Sequence, residues 1–378
     1  MISLDGSFCE GGGQIVRTAL AVSCITGKSF EVSDIRKGRC EPGLKNQHLY
    51  CAKALQAMCD AKVEGDKLGS TYLKFEPGKW KPKPIEVDLQ TAGSITLFMQ
   101  AMLPPFMFGK RSSTVTVIGG TDVQWSMPVD YFKHVLIPQL IKWADVEMTV
   151  LKRGYHPKGQ GRVEFKIKPR YTLSTRRKAP GIDLVEQGNI VLIRGVSHAS
   201  KDLEKAMVAD RQAKAAKFIL DKLGSPVEIL SEYSDTVSTG SGIAVWAIFG
   251  KGGSIDIANP IRIGADCLGE RNKKAEDVGI EAAERLKNEI GYQAPVDEYL
   301  ADNLVPFVAL FGGRYKVSKV TNHLLTNIYV IEKFFGEGVV KVDRYSRIVE
   351  SAGVDFGAAE GKSGQLCLTS VEEEGDAA

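Results

Sequence analysis

Apolar residues recur at helical spacing in several stretches of the chain. In "VTNHLLTNIYVIEKFF", residues 320–335, Leu324, Leu325, Ile328, Ile331 and Phe335 share one face. That pattern predicts a core-facing helix, capped by Thr321 or Asn322, with His323 in its first turn. Shorter stretches such as "KSFEVSDIR", "STVTVIGG" and "RYKVSKV" alternate apolar and polar residues and predict strands. Read in order, these elements repeat. The helix "GGGQIVRTALAVSCITG" is followed by a strand, the helix "PGLKNQHLYCAKALQAMC", and the strand pair "AKVEGDKLG" and "TYLKFEPG". The same order returns from "TAGSITLFMQAMLPPFMFG" through "PVDYFKHVLIPQLIKWA" to "VEMTVLKRG" and "GRVEFKIKP". A third round runs from "PVDEYLADNLVPFVALFGG" through the 320–335 helix to "YSRIVES".

Each round therefore reads helix, strand, helix, two strands, which predicts a four-stranded sheet covered on one face by two helices. The first helices start near Gly13, Gly93 and Val296, so one step is about 80 residues and the next about 200. The longer step requires an insertion, with the strands "NIVLIRGVSH", "PVEILSEYS", "GIAVWAIFG" and "GSIDIANPI" and a helix around "LEKAMVADRQAKAAKFILDKLG". The expected class is α/β (α+β in detail). Repeats one and two occupy residues 1–183, an inserted small α/β domain 184–270, repeat three 271–362, and an acidic tail 363–378. The insertion is expected to close before the helix "ERNKKAEDVGIEAAERLKNEI".

Composition narrows this little. The 378 residues are 43% hydrophobic and 25% charged with a net charge of +3, which neither demands nor forbids a nucleic acid partner. Seven cysteines lie scattered without metal spacing, which with no signal peptide in view predicts reduced thiols in a cytoplasm. The run "ITLFMQAMLPPFMF" is too short and proline-broken to span a membrane, so no membrane is expected.

Candidate chemistry gathers at five places. In "CEGGGQIVRTA", Gly11, Gly12 and Gly13 precede a helix, where close backbone approach and unpaired N–H groups suit an anion. Neither a Walker A loop nor a dinucleotide fingerprint is present. Arg17 and Glu10 sharpen that reading, since a carboxylate beside this turn suits a divalent ion held with phosphate oxygens. The turn is equally readable as structural and Glu10 as a surface acid. In "DIRKGRCEPGLKNQHL", Arg36, Arg39, Lys45, Gln47 and His48 form the clearest basic cluster, a doubly charged phosphate site or a solvated loop. Gln100 sits in an otherwise apolar helix and needs a partner in the backbone or a ligand. Tyr299, Asp302 and Asn303 share a helical face, a patch able to stack on a base and accept ribose hydroxyls, or simply a surface. A lone helical histidine such as His323 is a boundary residue or a catalyst. Its first-turn position disfavours the imidazolium, and a neutral ring is a nucleophile.

Taken together, "EGGGQIVRTALA", "IRKGRCEPGLKNQHL", "AGSITLFMQ", "GGTD", "YLADNL" and "HLLTNIYVIEKF" resemble the RNA 3'-terminal phosphate cyclase family over most of the chain. The resemblance implies three βαβαββ units with a smaller inserted α/β domain. It also implies a ligase that uses ATP and a divalent cation (Mg2+ or Mn2+) on an RNA bearing a 3'-terminal phosphate. In that family a histidine takes AMP from ATP, passes it to the terminal phosphate, and the 2'-hydroxyl then closes a 2',3'-cyclic phosphodiester. The motif implies that role for His323 and metal binding for Glu10. ATP or AMP contacts fall to Gly11, Gly12, Gly13, Arg17, Gln100, Tyr299, Leu300, Ala301, Asp302 and Asn303. RNA 3'-phosphate contacts fall to Arg36, Arg39, Gln47 and His48. Related cyclases read Gln where this chain has Asn303, whose amide is one methylene shorter in reach. A non-catalytic, RNA-binding, cyclase-like factor of ribosome assembly is the alternative. Retention of His323, Glu10, Arg36 and Arg39 argues against it, and enolpyruvyl transferases of similar repeat build lack these motifs. Oligomeric state stays open, a homodimer being one option.

Overall fold

The computed structural model describes residues 1–355. The expected acidic tail, the end of the third expected segment and Cys367 lie outside the described residues. The chain has an α/β fold of four small mixed sheets. The first unit is β1 (Ile2–Asp5), α1 (Gln14–Thr26), β2 (Phe30–Ser33), α2 (Asn46–Cys59), β3 (Lys62–Glu64) and β4 (Leu73–Glu76). The second is β5 (Ile85–Asp88), α3 (Ile95–Phe106), β6 (Ser113–Gly119), a helical segment, β7 (Ala144–Lys152) and β8 (Gly161–Pro169). That helical segment is not one regular helix: α4 (Val129–Tyr131) and α5 (Ile137–Leu140) flank a π-helical stretch, Phe132–Leu136. Pro138 lacks the N–H that a continuous ladder needs.

The third unit is split. Its first strand, β9 (Ile182–Leu184), precedes the inserted elements β10 (Asn189–Ser200), α6 (Val208–Leu220), β11 (Val227–Ser234), β12 (Ser241–Gly250), β13 (Ile261–Leu268) and α7 (Ala275–Gly291). The chain then completes the unit with α8 (Glu298–Asn303), α9 (Val305–Phe311), β14 (Gly313–Lys316), α10 (Asn322–Phe335), β15 (Lys341–Asp343) and β16 (Ile348–Ser351). The three unit sheets share one order, β1-β2-β4-β3, β5-β6-β8-β7 and β9-β14-β16-β15, with the leading pair parallel in each. The expected break at 183 therefore falls inside a strand that β14 holds in register at Gly313↔Ile182. A three-residue strand is too short for alternation to reveal.

Two hydrophobic cores account for the packing. The larger joins all three units, and the smaller lies between the β11-β10-β12-β13 sheet and helices α6 and α7. Val278, Ala282, Ala283 and Leu286 of α7 fill that smaller core. The sequence expectation set this helix after the insertion, and the difference is one of packing, since its apolar face fits either body by periodicity alone. The stretch "GSIDIANPI" also gives way: the strand starts only at Ile261, after Pro260. Helix α1 is buried from Gln14 to Ile25 because α2, α3 and α10 surround it. It stops at Gly27, whose φ of 71° lets its N–H reach the Ser23 carbonyl. The inserted body meets the second unit through polar as well as apolar contacts. Arg262 Nη1 donates to the His134 carbonyl at 2.8 Å, and His134 stacks on Trp246 at 4.3 Å.

Candidate active site

The N-termini of α1, α2 and α10 converge, and α8 lies beside them. Thr321 caps α10, its hydroxyl accepting from the Leu324 N–H at 3.1 Å, so His323 occupies the first turn as expected. Phe8 stacks on Tyr329 with ring centroids 4.0 Å apart, and the Tyr329 hydroxyl accepts from the Asp5 N–H at 2.9 Å. These contacts clamp the loop before the glycine turn against α10, and so bring Glu10 to His323: Glu10 Oε2 lies 3.2 Å from His323 Nε2.

Gln14, which sequence reading passed over, orients the ring. Its Nε2 donates to the His323 carbonyl at 3.0 Å, so its Oε1 is the end that meets His323 Nδ1. An amide oxygen only accepts, so Nδ1 carries the proton and Nε2 keeps its lone pair. That lone pair faces Glu10 Oε2, two acceptors set 3.2 Å apart, an arrangement a proton or a cation relieves. The half-exposed ring is held below its ordinary pKa. Partial desolvation lowers it most, Glu10 opposes, and Arg17 and Arg39 add to the lowering. Neutral imidazole is thereby favoured near pH 7. Gln14 carried one weak signal: it is a polar first residue in a helix that is buried along nearly its whole length.

A second feature lies below the turn. The Lys45 N–H donates to His48 Nδ1 at 3.1 Å, so the neutral His48 ring carries its proton on Nε2. That Nε2–H lies 3.4 Å from Arg17 Nη1, so two donors face one another with no acceptor between them. Burial, with Arg17, Arg36 and Lys45 nearby, pushes the His48 pKa well below its usual value. Gly13 makes this possible, because a Cβ there would stand 1.9 Å from His48 Nε2. Paired donors at a helix N-terminus suit an anion. The sequence assigned Arg17 and His48 to different ligands, whereas the fold puts them in contact.

The remaining candidates form a chain of bonds. Arg17 Nε donates to Gln100 Oε1 at 3.1 Å, and Gln100 Nε2 donates to Asn303 Oδ1 at 2.9 Å. Asn303 Nδ2 in turn donates to the Tyr299 carbonyl and to Asp302 Oδ1, so its amide is used up within the protein. A cleft lined by Gln14, Thr18, Gln100, Leu103, Pro104, Asp302, Asn303 and Asn327, among others, runs beside this chain. Burial raises the Asp302 carboxyl to about 7, with Arg17 pulling the other way. Tyr299 is part exposed and meets Tyr131 edge to face. Leu300 and Ala301 are both fully buried, and the Ala301 carbonyl accepts from the Tyr315 hydroxyl at 2.9 Å. They anchor α8. Arg39 Nη2 reaches Glu10 Oε2 at 3.5 Å, while Arg36 Nη1 donates to the Glu41 and Gly43 carbonyls. Gln47 Oε1 accepts from the Ser94 N–H at 3.2 Å, tying α2 to the start of α3. Sequence reading also missed a buried cluster away from this site. Arg153 bridges Asp122 at 3.1 Å and Asp130 at 2.7 Å, and His198 Nε2 lies 3.3 Å from Asp122. Asp122, Asp130 and His198 could surround a cation, but the guanidinium already fills that charge role.

Fold and site together define a repeat-built α/β protein with a neutral histidine at one helix N-terminus and an anion-ready donor pair at another. A profile of the RNA 3'-terminal phosphate cyclase family matches residues 8–340. A protein of Pyrococcus furiosus named RNA 3'-terminal phosphate cyclase is 44% identical over 338 residues, 89% of this chain and 94% of its own. Proteins of the same name from Thermococcus kodakarensis and Archaeoglobus fulgidus are also 44% identical, covering 93% of this chain and 98% and 100% of theirs. The chain belongs to the RNA 3'-terminal phosphate cyclase family. Among the described residues, no helix is long and apolar enough to cross a membrane.

Proposed function

We propose that this chain converts an RNA 3'-terminal phosphate into a 2',3'-cyclic phosphodiester at the expense of ATP, with AMP carried on His323. The observation that carries the reading is the tautomer fixed by Gln14, which leaves Nε2 of a neutral ring free to attack. The lone pair of Nε2 forms a bond to the α-phosphorus, and the bond to the β-phosphate breaks as pyrophosphate leaves. An oxygen of the RNA 3'-phosphate then takes the AMP, the bond to His323 breaks, and an RNA-(3')pp(5')A intermediate results. Finally the 2'-hydroxyl oxygen attacks the 3'-phosphorus, AMP departs, and the hydroxyl proton goes to solvent. Activation is needed because a phosphate dianion is a poor electrophile, and a phosphoanhydride supplies a leaving group.

Arg17 and His48, with the turn at Gly11, Gly12 and Gly13, are the groups suited to phosphate oxygens. Tyr299 and Asp302 are those suited to the adenosine, and Arg36, Arg39 and Gln47 to the RNA end. Glu10 would hold Mg2+ or Mn2+, which supplies Lewis-acid stabilisation of phosphate charge. We assign residues 185–291 to the inserted domain. The activity is placed by proposal in the cytoplasm, where the free thiols of the described cysteines stay reduced. Incubation with α-labelled ATP and metal, followed by mass spectrometry, should find AMP on His323. His323→Ala should fold normally and lose both the label and cyclisation by at least about a thousandfold. Cyclisation by that variant within about a hundredfold of wild type would refute the assignment.

A further inference from the structure

Trp125 is 93% exposed, whereas Trp143 and Trp246 are buried and Trp80 packs edge to face on Phe106. An indole left in water forgoes the burial that such a large apolar ring ordinarily finds. Its backbone is unusual as well, with φ at 60°, a region that bulky L-residues seldom occupy. A loop that simply frayed would not hold this conformation, and this one is fixed at both ends. Gly120 bridges to Ser94, and the Thr96 hydroxyl donates to the Met127 carbonyl at 2.7 Å. The fold therefore presents the indole to solvent from a rigid mount, and strain kept in this way is a pointer to function.

The mount locates the partner. Both anchors belong to the first turn of α3, and the Ser94 N–H in that turn donates to Gln47, one of the groups suited to the RNA end. A second loop, Tyr155–Gln160, lies alongside: Tyr155 bridges to Asp122, and Gly159 packs on the Thr91–Ala92 backbone. It carries Lys158 exposed. A flat apolar ring and a cation, reached in sequence from a phosphate site, are what grips a single strand without reading its bases.

We infer that Trp125 is a stacking platform for a base of the RNA strand upstream of its 3'-phosphate, with the exposed Lys158 of the neighbouring loop available to the backbone. The inference rests on the function proposed above. It is tested with an oligoribonucleotide ending in a 3'-phosphate. Trp125→Ala should raise the KM for this RNA about tenfold with kcat little changed, and Trp125→Phe should stay near wild type. Because the other tryptophans are shielded, the RNA should quench wild-type indole fluorescence, and Trp125→Ala should lose that quench. Circular dichroism checks that the variants fold. An unchanged KM with no quench would overturn the platform while leaving the cyclase reading intact. So would loss of a wild-type dimer at unchanged KM, which would make Trp125 a contact between copies of the chain. Failure of the wild type to cyclise any 3'-phosphate RNA would overturn both.

Discussion

His323 and Asp302 show how position sets chemistry residue by residue. The imidazole must be neutral to attack, and its pKa lies below the ordinary value, so nucleotidylation should persist below pH 6.5 and fail only as pH drops through the depressed pKa. Glu10 is the charge that opposes this depression. Glu10→Gln should therefore move the acid limb of the labelling rate to lower pH, while cutting the rate at pH 7.5 by about a hundredfold if it holds the metal. A shift toward higher pH would contradict the geometry. Asp302 behaves in the opposite sense. Desolvation pushes its part-buried carboxyl up to about 7 from the usual 3.8, so folding favours its protonated form. That contribution is complete below about pH 4 and lost as pH rises through about 7. Asp302→Asn should melt about 2–4 °C higher relative to wild type at pH 8 than it does at about pH 3.5, as read by thermal unfolding. It should also handle AMP less well, since a carboxylate suited to ribose hydroxyls is gone.

Single elements here serve as platforms, with their first turns turned toward the site. The start of α1 is the tightest case. A methyl group at residue 13 would meet the His48 ring, which is itself buried between α2 and Arg17. Gly13→Ala should destabilise the protein by about 1–3 kcal/mol through overpacking. Removing the obstructing ring in the Gly13→Ala/His48→Ala double variant should return part of that loss. Denaturant titration of the four proteins of this cycle measures the coupling, and strict additivity would mean that the two residues do not meet. The three glycines were legible as a turn from the residues alone. That the last of them exists to admit a histidine from α2 was not, because residues 13 and 48 meet only after the two helices have packed.

Across the whole molecule, the inserted body is joined to the second unit by buried charge as well as by apolar surface. Arg153, between β7 and β8, meets Asp122 and Asp130 of its own unit and Glu232 of β11. Arg153→Met would leave two buried carboxylates without their cation, and should cost about 3–5 kcal/mol. A lower melting temperature, with proteolysis concentrated around residues 185–291, is the expected result; unchanged stability would show that the cluster carries no net charge balance. The repeat, its helices and the need for an insertion could be read from the order of apolar patterns, since periodicities of 2 and 3.6 are local properties of the chain. His323 at a helix start was equally legible, because capping depends on neighbours in sequence. That α7 packs in the smaller core was not, since its apolar stripe could by pattern be buried against either body. The role of Gln14, the contact of Arg17 with His48 and the internal use of the Asn303 amide were likewise decided only by the tertiary structure. Each is a hydrogen bond or contact between residues brought close by packing, and side-chain polarity along the chain says that a partner is needed without saying which one it is.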